Sequence, residues 1–173
     1  MKIISESVEA FGLRASLYSK SHLFPGCTWV NELEKILEVV SLDTLFFPFP
    51  WSRKAWLDLD EVSEDYALVV LESDSSQVIA FSLWSLSHLD ELAHLLKIIV
   101  IPEWRGKSLG VSLLQLSLNY FGGKGLTSFY LEVEEGNVSA RQVYEKLGFE
   151  ILHKARNYYG SGRNGVKMGK IFE

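Results

Sequence analysis

Between Trp29 and Val40 the apolar residues Val30, Leu33, Ile36, Leu37 and Val40 recur every three or four positions, which predicts a helix. Two prolines in "LFFPFPWSRKAW" then forbid a continuous helix, and Ser52 is placed to cap a short one beginning at Arg53. "YALVVLE" (66–72) and "QVIAFSLWSL" (77–86) are rich in β-formers and flank "SDSS", the pattern of a β-hairpin. "HLLKIIVI" (94–101) reads as a buried strand. Leu109 to Phe121 is amphipathic and ends at Gly122-Gly123. "TSFYLEV" (127–133) is a further strand, Asn137 to Leu147 a helix closed by Gly148, and 149–156 and 165–172 two strands around a loop containing "NYYGSGRNG". A strand from Val8 to Tyr18 is the expectation for the N-terminal stretch. The order is helices, an antiparallel hairpin, then β-α-β-α-β-β, which predicts a mixed α/β sheet.

Composition narrows this little. The chain has 173 residues, 47% of them apolar and 13% aromatic, the make-up of a folded domain. Its 17 basic and 22 acidic side chains leave a net charge of −5, against the basic balance of a general nucleic-acid binder. One cysteine, Cys27, allows no internal disulfide and fits a reducing compartment. One cysteine and four scattered histidines give no zinc-ligand spacing, so no metal is expected. No signal peptide and no apolar run of about 20 residues is visible. The expectation is a cytoplasmic monomer or homodimer, binding neither nucleic acid nor membrane. It would be one domain over 1–173, with 1–28 an extension of unassigned role.

"WRGKSLG" (104–110) is the first candidate site, because "GKS" ends a nucleotide-binding P-loop. That loop needs a glycine five residues before Gly106, where Ile101 stands, followed by Pro102 with no N–H to offer. The P-loop reading fails. A strand running into a helix start near Leu109 can instead aim the N–H groups of residues 106–111 at an anion, helped by the helix dipole and by Arg105 and Lys107. On these residues alone, an anion cradle and an ordinary turn with solvated charges remain open.

Arg105-Gly106-Lys107-Ser108-Leu109-Gly110 resembles motif A of the GNAT acetyltransferases, Arg/Gln-x-x-Gly-x-Gly/Ala, with Ser108 in place of the middle glycine. If that position needs a positive φ, serine there costs about 1 kcal/mol. "LLKIIVIPEWRGKSLG", "FYLEVEEGNVSARQVYEKLGFE" and "RNYYGSGRNGVKMGK" follow in the family's order and spacing. With "FPFPWSRKAW" they cover most of residues 46–170, and the look-alike branch is the RimI type, N-terminal alanine acetyltransferases of a ribosomal protein. The resemblance implies the GNAT fold, a mostly antiparallel twisted sheet flanked by helices, and direct acetyl transfer from acetyl-CoA in a ternary complex.

The resemblance also implies roles. The backbone of Ile98, Ile99 and Val100 would bind the pantetheine arm, with strand separation opening its slot. Arg105, Gly106, Lys107, Ser108, Leu109, Gly110 and Val111 would hold the pyrophosphate, and Asn137 would contact the cofactor. Asn137, Ala140 and Tyr144 share one helix face, and Tyr144 would be the general acid. Glu132, charged inside the apolar strand "LEV", would be the base, through water. Trp51 and Tyr158 would flank the acceptor, a protein or peptide N-terminus. An α-amine, with an ordinary pKa near ~8, asks less of a base than a lysine near ~10.4. Acetylation of a small-molecule amine or lysine, or a non-catalytic module that holds CoA or a peptide, are the rival readings. The histidines, His94 among them, read as structural, and the acidic run Asp58, Asp60, Glu61, Glu64, Asp65 as a solvated face.

Overall fold

The computed structural model describes residues 13–19, 33–60 and 65–172. The seven strands are β1 (Arg14–Ser19), β2 (Asp65–Glu72), β3 (Val78–Ser87), β4 (Leu92–Val100), β5 (Ser128–Glu134), β6 (Glu150–Ala155) and β7 (Gly165–Ile171). They form one sheet in the order β1-β2-β3-β4-β5-β7-β6. Every neighbouring pair is antiparallel except β4 with β5. The helices are α1 (Leu33–Phe46), α2 (Arg53–Leu57), α3 (Leu109–Gly122) and α4 (Val138–Lys146).

The mixed, mostly antiparallel sheet expected from the sequence is present, and the elements lie where the periodicity puts them. β1 falls inside the stretch set apart as an extension and pairs with β2. Residues 8–12 and 29–32, also predicted as strand and helix, lie outside the described residues. α1 does not stop at Val40; its buried face continues through Asp43, and Pro48 then ends the possibility of further helix. Ser52 caps α2 as expected, its Oγ accepting from the N–H of Ala55 at 3.1 Å.

Both faces of the sheet are covered, so β2 and β3 are apolar almost throughout rather than alternating. On one face α3 and α4 enclose Trp84, which meets Phe121 and Phe129 edge-on at 5.4 and 6.2 Å. On the other, α1 and α2 lay Ile36, Val39 and Trp56 on Phe81, Leu83 and Ile99.

A β-bulge breaks this regularity in β4. Leu83 pairs with Lys97 while Trp84 pairs with Leu95, leaving Leu96 as an extra residue. Side-chain alternation therefore changes parity. Ala93 and Leu95 face α3 and α4 before the bulge, whereas Ile99 faces α1 and α2 after it. Lys97 is carried to the α1 side and buried, 2% exposed.

Its ammonium meets Asp43 Oδ1 at 3.0 Å, and Asp43 is fully buried. Asp43 Oδ2 also accepts from the N–H of Trp51 at 2.9 Å and from Trp56 Nε1 at 2.8 Å. Lys97 Nζ lies 3.9 Å from the ring centre of Phe47 and donates to the carbonyl of Phe49 at 3.4 Å. One buried pair thus pins the "FPFPW" loop onto β4. Asp43→Ala strands the ammonium and is expected to lower the unfolding free energy by about 3–5 kcal/mol in urea titrations. The double variant Asp43→Ala/Lys97→Met should lose less than Asp43→Ala alone. A double variant equal to the sum of the single losses would show the two side chains to be uncoupled.

Candidate active site

The parallel pairing of β4 with β5 lasts from Leu92–Ser128 to Leu95–Leu131 and stops, although both strands continue. Past that point the edges separate. A groove of about 670 Å3 opens there, lined by Ile98, Ile99, Val100, Arg105, Gly106, Ser108, Leu109, Gly110, Val111, Asn137 and Tyr144. Every sequence-predicted cofactor residue except Lys107 lies along it. The Lys107 ammonium sits over the Trp104 ring, 4.5 Å from its centre.

The floor of the groove is the start of α3. Helix N-termini leave their first N–H groups without intrahelical partners, and here these belong to residues at the head of Leu109–Gly122. Ser108 is the N-cap with φ 59° and ψ 12°, left-handed, and its side chain makes no capping bond. Gly106 is also left-handed, φ 75°. The loop therefore needs two positive φ angles, and serine occupies the second. Arg105 folds back, its Nε donating to the Val100 carbonyl at 2.9 Å. This polar cradle beside an apolar slot fits a ligand with an anionic end and a long neutral arm.

Asn137 is a helix cap, as its position predicts: Oδ1 accepts from the N–H of Ala140 at 3.2 Å. It also lines the groove. Tyr144, two turns along α4, is 5% exposed. Burial, with a smaller contribution from Tyr159, pushes its phenol well above the ordinary tyrosine range, so the proton stays on at neutral pH.

A second cavity, about 480 Å3, lies on the other side of β4. Phe47, Phe49 and Trp51 form one wall, Tyr158 and Tyr159 another, with His94 and Glu132 between them. A passage of about 160 Å3, bordered by Phe47, Lys97, Ile98, Glu132, Ala140 and Tyr144, adjoins both cavities. The two loops meet over it: Arg163 pairs with Glu134 at 2.5 Å and lays its guanidinium 4.5 Å from the centre of Phe49.

Glu132 is the most heavily bonded carboxylate of this region. Oε2 lies 2.6 Å from His94 Nε2, and Oε1 accepts from Tyr130 at 2.9 Å and from Tyr158 at 3.1 Å. Lys167 Nζ stands 3.9 Å away. Burial pushes the carboxyl up, but the bonds from His94, Tyr130 and Tyr158 outweigh it and hold it below its ordinary value.

Glu132, Trp51 and Tyr158, named from the sequence, line this cavity together; sequence reasoning missed what surrounds them. His94, read as structural, lies in register with Tyr130 across β4 and β5 and contacts Glu132. Tyr130 precedes Glu132 by two residues on the same strand face, a visible period-two signal. Lys97 had a signal too: a lysine inside an uninterrupted apolar strand requires a partner. Of the acidic run, Asp58 pairs with Lys54 and Asp65 with His88 at 2.8 Å, while Glu61 and Glu64 lie outside the described residues.

Residues 36–149 match the acetyltransferase (GNAT) family. The ribosomal protein bS18-alanine N-acetyltransferase of Salmonella typhimurium is 34% identical over 111 residues, covering 64% of this chain and 72% of that protein. Among solved structures, the ribosomal-protein-S18-alanine N-acetyltransferase of Escherichia coli superposes with a TM-score of 0.73 at 23% identity, covering 92% of this chain and 95% of that one. Arabidopsis thaliana NAA60 in complex with acetyl-CoA gives a TM-score of 0.70 at 12% identity, covering 91% of this chain and 98% of that one. Ser108→Gly keeps every backbone N–H of the cradle and removes the left-handed strain. It is expected to raise the unfolding free energy by about 1 kcal/mol while CoA affinity, by calorimetry, stays unchanged. Loss of stability would mean that the serine side chain contributes a bond of its own.

Proposed function

We propose, from the premise that this chain belongs to the acetyltransferase (GNAT) family and is an N-acetyltransferase using acetyl-CoA, that its acceptor is the N-terminal α-amine of a protein. The observation that carries this is the pair of cavities on opposite sides of β4 joined beside Tyr144. The names of the relatives support a ribosomal protein as the acceptor class.

Acetyl-CoA supplies an acetyl group already activated as a thioester. The chain's residues then have three tasks. The free N–H groups from Gly106 to Val111 hold the anionic end, and the backbone of residues 98–100 lines the slot for the neutral arm. The aromatic walls from Phe47 to Trp51 and at Tyr158 flank a peptide backbone. Glu132 supplies the negative charge toward which the amine's proton leaves, and Tyr144, kept protonated by burial, is the group from which the departing thiolate takes one.

The acceptor side favours an α-amine over a lysine for a physical reason. An α-ammonium, with a pKa near ~8, is partly neutral at physiological pH, while a lysine near ~10.4 is almost wholly charged. A carboxylate held below its ordinary value is a weak proton acceptor and suits the easier substrate.

The test is thiol release from acetyl-CoA with three amines. One is a basic peptide with a free N-terminal alanine, one the same peptide N-blocked but carrying lysine, and one a polyamine. Turnover confined to the first is expected; turnover on lysine or polyamine alone would overturn the acceptor assignment. With CoA binding intact, silence on all three would favour a binding module. Tyr144→Phe should cut turnover at least about tenfold with CoA affinity little changed, and an unaltered rate would remove Tyr144 from the chemistry.

A further inference from the structure

One half of the sheet is covered on a single face. The apolar cluster under α1 and α2 runs from β1 to β4 and, among the described residues, takes no member from β5, β6 or β7. Those three strands pack on α3 and α4 through Phe129, Leu131, Val133, Val166 and Met168. Directly opposed residues of an antiparallel pair share a face. The opposite face therefore carries Tyr130 beside Gly169 and Ser128 beside Ile171. β6 adds Leu152, which a bulge between Ile151 and His153 leaves as an extra residue. It lies over Gly169, where a side-chain carbon would stand 2.7 Å from the Leu152 Cδ1. Leu152 is 63% exposed and Ile171 68%. Glu132, two residues along β5 from Tyr130 and on the same face, lines the cavity between the two loops. The apolar patch is thus continuous with that cavity.

We propose that the patch formed by Tyr130, Leu152, Gly169 and Ile171 docks an apolar side chain of the acceptor polypeptide beyond its first residues. The proposal rests on the protein N-terminus reading and extends it: the enzyme reads a stretch of chain and not the terminal amine alone. Adjacent strands lie about 4.8 Å apart, and an extended chain rises about 3.3 Å per residue. Leu152 lies two strands across and two residues along from Glu132, roughly 12 Å, so a segment from about the fourth acceptor residue onward reaches it.

The surroundings favour apolar contact over charge. Glu132 and Lys167, at the border of the patch, stand 3.9 Å apart and balance each other. Tyr158 roofs the cavity end of this face, its hydroxyl donating to Glu132 at 3.1 Å and its ring carbons lying against Gly165. Exposed apolar side chains grouped beside a site mark a surface for a partner. A polypeptide whose first amine sits in the cavity passes its continuation over this one, whereas a small-molecule amine leaves it bare.

Three peptides with a free N-terminal alanine test this. One has about four residues; the other two have about twelve, with leucine and phenylalanine, or glycine and serine, from the fourth position onward. Wild-type kcat/KM is expected to be about tenfold higher on the long apolar peptide than on the other two. Leu152→Ser/Ile171→Ser should lose that gain through KM, with kcat, CoA affinity and the rate on the short peptide retained. Ile171→Ser alone should lose part of it. A wild type with no preference for the long apolar peptide overturns the proposal. An equal loss on the short peptide assigns the patch to a segment of this chain, and a wild-type dimer that the double variant splits in sedimentation equilibrium assigns it to a second copy; either result overturns it as well. Fluorescence anisotropy of the long apolar peptide, labelled at its C-terminus and measured with CoA present, needs no turnover. Binding that weakens about tenfold in the double variant is expected, and absent or unchanged binding overturns the proposal. Peptide that binds in this way without being acetylated would remove the acceptor reading and leave the docking surface standing.

Discussion

The site depends on one interruption: β4 and β5 are hydrogen-bonded as far as Leu95 and Leu131 and no further. A sheet that stayed zipped would satisfy every backbone group internally and leave no space between its layers. Separation leaves main-chain groups of residues 98–100 without a strand partner on that side, and such groups seek a ligand or water. It also places the head of α3 and the buried phenol of Tyr144 along one groove. The groove and its junction with the cavity beside Glu132 both follow from that single break in pairing.

What keeps the break in place is costly on its own terms. The bulge at Leu96 turns Lys97 away from solvent, and a buried ammonium is tolerated only with a partner. Asp43 supplies one and binds the N–H of Trp51 and the indole of Trp56 with its second oxygen. The same carboxylate therefore balances the charge and fixes the loop of residues 47–51. A hydrophobic pair would pack more cheaply there but would not hold the loop, which is a reason for charge at a position where core residues usually stand.

The sheet was legible because its strands are bounded by plain punctuation. "SDSS", Pro102, Gly122-Gly123 and Gly148 each end an element where the chain requires it, and Ser52 and Asn137 cap as their positions suggest. The left-handed turn ahead of α3 was legible through Gly106, and the strain expected for Ser108 at a positive φ is present at φ 59°. What escaped was pairwise. His94 meets Glu132 only because β4 and β5 run parallel in one particular register, and Lys97 meets Asp43 only because a bulge changes the parity of β4. Neither register nor bulge leaves a trace in hydrophobic periodicity. The lysine inside "HLLKIIVI" and the aspartate on the apolar face of α1 announced that partners were needed without saying which.

Backbone amide hydrogen exchange with and without saturating acetyl-CoA tests the claim that the separated strands hold the cofactor. The account requires slowed exchange at residues 98–100 and 106–111, with β2 and β3 unchanged. Binding that leaves those amides unprotected, or that protects the loop of residues 47–51 instead, would contradict it.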